Sequence, residues 1–124
     1  MALKVWTTET RPLTRTVHLA GKLDNDTVAL LDDELNAVAS SPATVVVFDL
    51  AALEYVSSTG LRSIFRIQKV MASRGGKALL VNPRPQIQKV LEIIRAADIS
   101  AVFASVEELD RYLDTMQRKV VDGE

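Results

Sequence analysis

The chain predicts a single α/β domain on a mixed, mostly parallel sheet of four or five strands with about four helices, in the order β-β-α-β-α-β-α-β-α. Three observations carry this expectation. After an opening pair of strands, strand-like and helix-like hydrophobic periods alternate, which favours parallel pairing through right-handed crossovers. The central run Thr44-Val45-Val46-Val47-Phe48 is apolar and β-branched without interruption, the pattern of a strand covered on both faces. The 124 residues include no cysteine, and a chain of this length buries enough surface to fold without a disulfide or metal.

Residues 2–7 and 13–20 read as two strands joined around Arg11-Pro12. In the second, Leu13, Val17 and Leu19 share one face, with Arg15 at its edge, and Thr14, Thr16 and His18 share the other; Gly21 closes it. Trp6 falls on the side of Lys4, opposite Leu3 and Val5. That places it either at an interface, where aromatics are enriched, or beneath a packed helix. Asp24-Asn25-Asp26 offers an N-cap to a helix whose core residues are Val28, Leu31, Leu35 and Val38, with Asp32, Asp33 and Glu34 mostly on its wet side. Ser40-Ser41-Pro42 ends that helix.

After the central strand, Leu61, Ile64, Phe65, Gln68 and Met71 mark a second helix, which stops at Arg74-Gly75-Gly76. Residues 77–81 form the next strand. Asn82-Pro83 places a cap before a proline at the first position of a third helix, with Ile87, Val90, Leu91 and Ile94 facing inward. Residues 101–103 suggest a short edge strand. Ser105-Val106-Glu107-Glu108 is a capping box opening a last helix lined by Val106, Leu109, Leu113 and Met116. The domain is expected over residues 1–118, with a frayed tail at 119–124.

Composition excludes several classes. Fifteen basic residues against sixteen acidic ones leave a net charge of −1, and a nucleic-acid partner would favour a basic face. The N-terminal residues lack the apolar segment of a signal peptide, and no apolar run approaches the ~18 residues of a membrane span. A cytoplasmic protein without membrane insertion is the expectation. His18 is the only histidine and has no evident orienting partner in sequence. There is no Gly-x-Ser-x-Gly elbow, no phosphate-binding glycine loop with lysine and no metal-ligand spacing, so neither catalysis nor a cofactor is expected.

The segment Leu53-Glu54-Tyr55-Val56-Ser57-Ser58-Thr59-Gly60-Leu61 joins the central strand to the second helix through three consecutive hydroxyls. Ser57 or Ser58 can cap the helix, but a cap needs only one hydroxyl. The others are candidate phosphoryl acceptors, Ser58 ahead of Thr59 because threonine's methyl crowds an approaching kinase. Gly60 removes a side chain where a partner's backbone could come close. The loop follows the carboxyl end of a central strand, where open α/β sheets place their sites, and it shares that edge with Lys22–Asp24 if the second and third strands are parallel.

On Gly21-Lys22-Leu23-Asp24, Val46-Val47-Phe48-Asp49-Leu50 and Leu53–Leu61, together with the element order, the chain resembles the STAS domain, and within it the bacterial anti-sigma factor antagonists. The resemblance covers nearly the whole chain. It implies that the loop is phosphorylated at Ser58 or Thr59 by a partner that is both serine kinase and anti-sigma factor, that the unphosphorylated form binds this partner, and that a phosphatase reverses the modification. The expected partner surface comprises Lys22, Asp24, Ser57, Gly60, Leu61, Arg62, Ser63 and Arg66. The chain departs from the family at Ser57, where members regulated this way commonly carry Asp. That departure favours a second reading, a constitutive STAS adaptor of a transport or signalling assembly. A hydrolase with Ser58 as nucleophile would need a base that the sequence does not offer. Oligomeric state is left open.

Overall fold

The computed structural model describes residues 2–96 and 106–123. Its elements are β1 (Leu3–Arg11), β2 (Thr14–Leu23), α1 (Val28–Ala39), β3 (Val45–Val56), α2 (Ser58–Ser73), β4 (Lys77–Val81), α3 (Pro85–Ala96) and α4 (Val106–Asp122). The strands form one sheet in the order β1-β2-β3-β4. β1 runs antiparallel to β2, and β2, β3 and β4 are mutually parallel. This is the expected mixed, mostly parallel α/β fold, with four helices among the described residues. The expected edge strand at residues 101–103 and the capping serine Ser105 lie outside the described residues.

The core lies on one face of the sheet. Leu3, Val17, Leu19, Val46, Phe48 and Leu50 point toward the helices and are buried against Leu31, Leu35, Ile64, Ile67, Met71, Ile87, Val90 and Leu113. The expectation that β3 is covered on both faces is therefore incorrect. Burial along β3 alternates from Val45 to Leu50, and Val45, Val47 and Asp49 stay partly exposed. The reason is topological. Right-handed crossovers stepping in one direction across a sheet put α1 and α2 on the same side. Among the described residues, no helix packs on the other.

Element ends differ from expectation where backbone geometry, rather than hydrophobic pattern, decides. β1 extends to Arg11, and Leu13, at φ 64°, belongs to the hairpin turn. Gly21 does not end β2. It sits beside an irregularity in the β2–β3 register, and the strand continues to Leu23. Asp24 acts ahead of α1: its Oδ1 accepts the N–H groups of Asp26 and Thr27, and its carbonyl accepts that of Val28. Asn82 adopts a left-handed conformation (φ 58°), so α3 starts not at Pro83 but at Pro85, where proline again suits the first helical position. α4 continues to Asp122, through most of the stretch expected to fray, with an Arg118–Asp114 pair one turn apart and Lys119 near its negative end.

α2 stops as its sequence suggests. Gly75 takes φ 74°, its N–H donates to Ala72 O, and the Gly76 N–H donates to Met71 O, a paired closure of the last turn. The Arg74 guanidinium then donates to the carbonyls of Ala39, Ser41 and Ala43, tying the end of α1 to the end of α2.

On the uncovered face, the register aligns Trp6, His18, Asp49 and Val81 across all four strands. Trp6 is 45% exposed, not beneath a helix, and stacks on His18 with ring centroids 5.1 Å apart. His18 does have orienting partners, brought to it by the sheet. Its Nδ1 lies 3.3 Å from Asp49 Oδ2, and its Nε2 is 2.9 Å from the Thr8 hydroxyl. The Ala51 N–H donated to Asp49 Oδ1, with help from Asn82 and His18, holds the Asp49 carboxyl below its ordinary pKa despite partial burial. A carboxyl whose folded pKa is depressed contributes stability above its unfolded value and loses it as the pH falls through the folded one. Asp49→Asn is therefore expected to be less stable than wild type at neutral pH, with the gap closing as the pH drops through and below the carboxylate range. Urea melts at stepped pH measure this, and a gap independent of pH would contradict it.

Candidate functional site

The site is built where β3 outruns its neighbour. Pairing between β3 and β4 ends at Asp49↔Val81, while β3 continues beside β2 to Val56. This leaves one edge of residues 51–56 without a strand, and side chains from the residue before α3, from α3 and from α4 take its place. Arg84 Nε donates to Ala51 O at 3.0 Å and Gln86 Nε2 to Glu54 O at 3.1 Å. Gln117, on α4 and only 2% exposed, accepts the Val56 N–H at 3.0 Å and donates to Val56 O at 2.8 Å, with a second donation to Leu113 O. One amide thus occupies the donor and acceptor positions of a missing strand residue, immediately before the hydroxyl loop.

The loop is pinned from the other side as well. The Ser57 N–H donates to Leu23 O at 2.9 Å. Ser57 is extended (φ −93°, ψ 170°), and its Oγ caps α2 by accepting the Gly60 N–H at 3.3 Å. Of the two candidate caps, Ser57 is the one used. A Cβ on Gly60 would lie 2.5 Å from Leu23 Cγ and 2.7 Å from Cδ2. The glycine therefore admits the end of β2 from within the protein, rather than opening space for a partner's backbone as the sequence suggested.

The predicted residues divide by exposure. Lys22, Arg62 and Arg66 are exposed, and Thr59 is half-buried. Ser57 (4% exposed), Ser58 (7%), Gly60, Leu61 and Ser63 are buried, so Ser63 does not belong to the exposed helix start. Asp24 is partly buried and occupied by its turn. The Lys22–Asp24 loop does share the sheet edge with the hydroxyl loop, because β2 and β3 are parallel. Arg66 lies 3.5 Å from Asp32, linking α1 and α2. The first turn of α2 carries no acidic residue, and Arg62 follows within the next turn, beside the positive end of the helix dipole.

Sequence reasoning missed Gln86 and Gln117. For Gln117 a signal exists: it lies four residues after Leu113, on the apolar stripe of the last helix, where a polar amide must find partners. Gln117→Leu leaves the Val56 N–H and C=O unpaired, and is expected to cost about 1–3 kcal/mol in a urea melt. Amide exchange should accelerate at Val56 more than in the distant hairpin; uniform acceleration would contradict a local role.

Together these features place a hydroxyl loop, hydrogen-bonded from both sides, at the carboxyl edge of the sheet beside a cationic helix face. The chain belongs to the STAS domain family, whose model matches residues 5–109. A Bordetella bronchiseptica protein named as anti-sigma factor antagonist BtrV is 32% identical over 75 residues, 60% of this chain and 65% of that protein. The anti-sigma F factor antagonist of Lysinibacillus sphaericus is 24% identical over 77 residues, 61% of this chain and 66% of the relative. The chain thus spans just under two-thirds of the length of these relatives. Among solved structures, the anti-sigma factor antagonist SpoIIAA in its unphosphorylated form superposes with a TM-score of 0.63 at 19% identity, over 72% of this chain and 82% of that one. The phosphorylated form of Bacillus SpoIIAA superposes with the same score, at 19% identity, over 73% and 82%. An antagonist from Mycobacterium paratuberculosis gives 0.61 at 20% identity, over 75% and 80%. At these identities the likeness establishes the fold.

Proposed function

We propose that this protein is an anti-sigma factor antagonist acting by partner switching. Unphosphorylated, it binds an anti-sigma factor that is also a serine kinase; phosphorylated at Ser58 or Thr59, it is released, and a phosphatase restores it. The observation that carries this reading is the placement of two hydroxyls in the first turn of α2, on a loop held from both sides and beside Arg62. The names of the sequence relatives support the role, and a structural neighbour known in both phosphorylated and unphosphorylated forms supports the switch.

The physics favours a switch that leaves the fold intact. A phosphate adds about −1.5 to −2 charges. In the first turn of α2 it meets the positive dipole end, a favourable interaction of roughly 0.3–1 kcal/mol. Arg62 stands four residues after Ser58 and three after Thr59, within reach of a phosphate on either. Inside an interface, the same group must be desolvated or meet like charge, at a cost of several kcal/mol. The interface effect is the larger. Ser57 fills the capping role that Asp would fill, so this departure from the family leaves the loop's architecture unchanged.

Burial of Ser58 moves the preferred acceptor toward the half-buried Thr59, although Ser58 also lines the groove along α2. The same burial favours the second reading, a constitutive adaptor without phosphorylation control. Peptide mapping by mass spectrometry of the protein from its native host separates the two. Partner switching predicts a phosphate on Ser58 or Thr59 and at least about tenfold weaker binding of the phosphorylated form to its kinase partner. A loop unmodified across growth and stress conditions would favour the adaptor.

A further inference from the structure

A groove of about 500 Å³ runs along α2 toward α3. Leu61, Phe65 and Ile94 line its apolar part, and Ser58 stands at one end. The charged residues along it are Arg62, Arg66 and Lys69, all exposed, at spacings of four and three on one stripe of α2. α2 contains no Asp or Glu in a chain whose acidic residues outnumber its basic ones. Arg66 is steadied by Asp32, while Arg62 and Lys69 have no acidic partner among the described residues. The ladder from Arg62 to Lys69 is about 10 Å long, two turns of helix.

We infer that this groove receives an acidic amphipathic helix of the partner. The occupant's apolar side chains would lie on Leu61, Phe65 and Ile94, and carboxylates one turn apart would meet Arg62, Arg66 and Lys69. An apolar floor beside a repeating cationic edge matches an amphipathic helix in both period and charge. This rests on the partner-binding reading above and adds the chemistry of the partner. It also gives the switch a local cause. A phosphate on Ser58 or Thr59 sits one helical turn from Arg62 and competes with the partner's carboxylate for that guanidinium.

The test uses a labelled synthetic peptide of about four helical turns, with leucines on one face and glutamates flanking them one turn apart. A matched peptide carries glutamine at the glutamate positions. Fluorescence anisotropy against the full chain is expected to show salt-sensitive binding of the glutamate peptide, and about tenfold or greater weakening with Lys69→Glu, Arg62→Glu and the glutamine peptide. Lys77→Glu, on the exposed end of β4, should bind as wild type does, and circular dichroism melts establish that the charge variants fold. Failure of the glutamate peptide to bind, equal binding of the glutamine peptide, or indifference to both Lys69→Glu and Arg62→Glu overturns the inference. So does self-association of the chain that Lys69→Glu abolishes, which would place a second copy in the groove. None of these readouts involves a kinase, so an unphosphorylated loop in the native host would leave this inference standing, and the reverse also holds.

Discussion

The free edge of β3 is the constraint on which the site depends. β4 ends its pairing opposite Asp49, yet β3 runs on to Val56 and must satisfy backbone groups that no strand reaches. A polar backbone group buried without a partner costs about 1–3 kcal/mol, and Gln117 meets that demand at the buried Val56, while Gln86 and Arg84 pair with the carbonyls of Glu54 and Ala51. These contacts bring α3 and α4 to the carboxyl edge of the sheet. They also immobilise the Val56–Ser57 peptide: Gln117 donates to its carbonyl from one side, and its N–H donates to the Leu23 carbonyl on the other. The hydroxyl loop is thus clamped between β2 and α4 and needs no partner to acquire its shape.

A preformed loop has a thermodynamic consequence. Binding through an ordered segment avoids the ordering cost that a flexible one incurs, roughly 1–2 kcal/mol for each backbone residue fixed. It also means that a charge added there has little slack to absorb it by rearrangement. The effect falls on whatever approaches the surface, and the surface beside the loop is the cationic stripe of α2. Tight packing under the loop, with Gly60 set against Leu23, and an open charged face above it are two sides of one arrangement.

Much of this architecture was legible in the sequence, for identifiable reasons. Helical and strand periods located every described element because each buries one stripe or face: Leu31, Leu35 and Val38 in α1, Val17 and Leu19 in β2. Capping chemistry located the start of α2, since serine is a strong cap wherever it stands. The open sheet face was not legible. Val45 and Val47 are β-branched and favour strand through side-chain stiffness whether or not a helix covers them, so their apolar run looked like burial on two sides. The partners of His18 were hidden for another reason: Asp49 reaches it only through the register of two parallel strands that are remote in sequence. Gly60 was read as open space, although its near neighbour is Leu23, brought there by the same pairing. Gln117 acts across 61 residues, and its position on an apolar stripe was the one local sign.

The central claim is that the loop is rigid and that phosphate acts on its surroundings rather than on its fold. Amide hydrogen exchange of residues 56–61 tests it most directly, comparing the unmodified chain with chain carrying phosphate at Ser58 or Thr59. The account predicts that protection at Val56, Ser57 and Leu61 is preserved or slightly raised by the phosphate. Loss of protection at these amides would mean that the modification melts the start of α2, and would contradict the account.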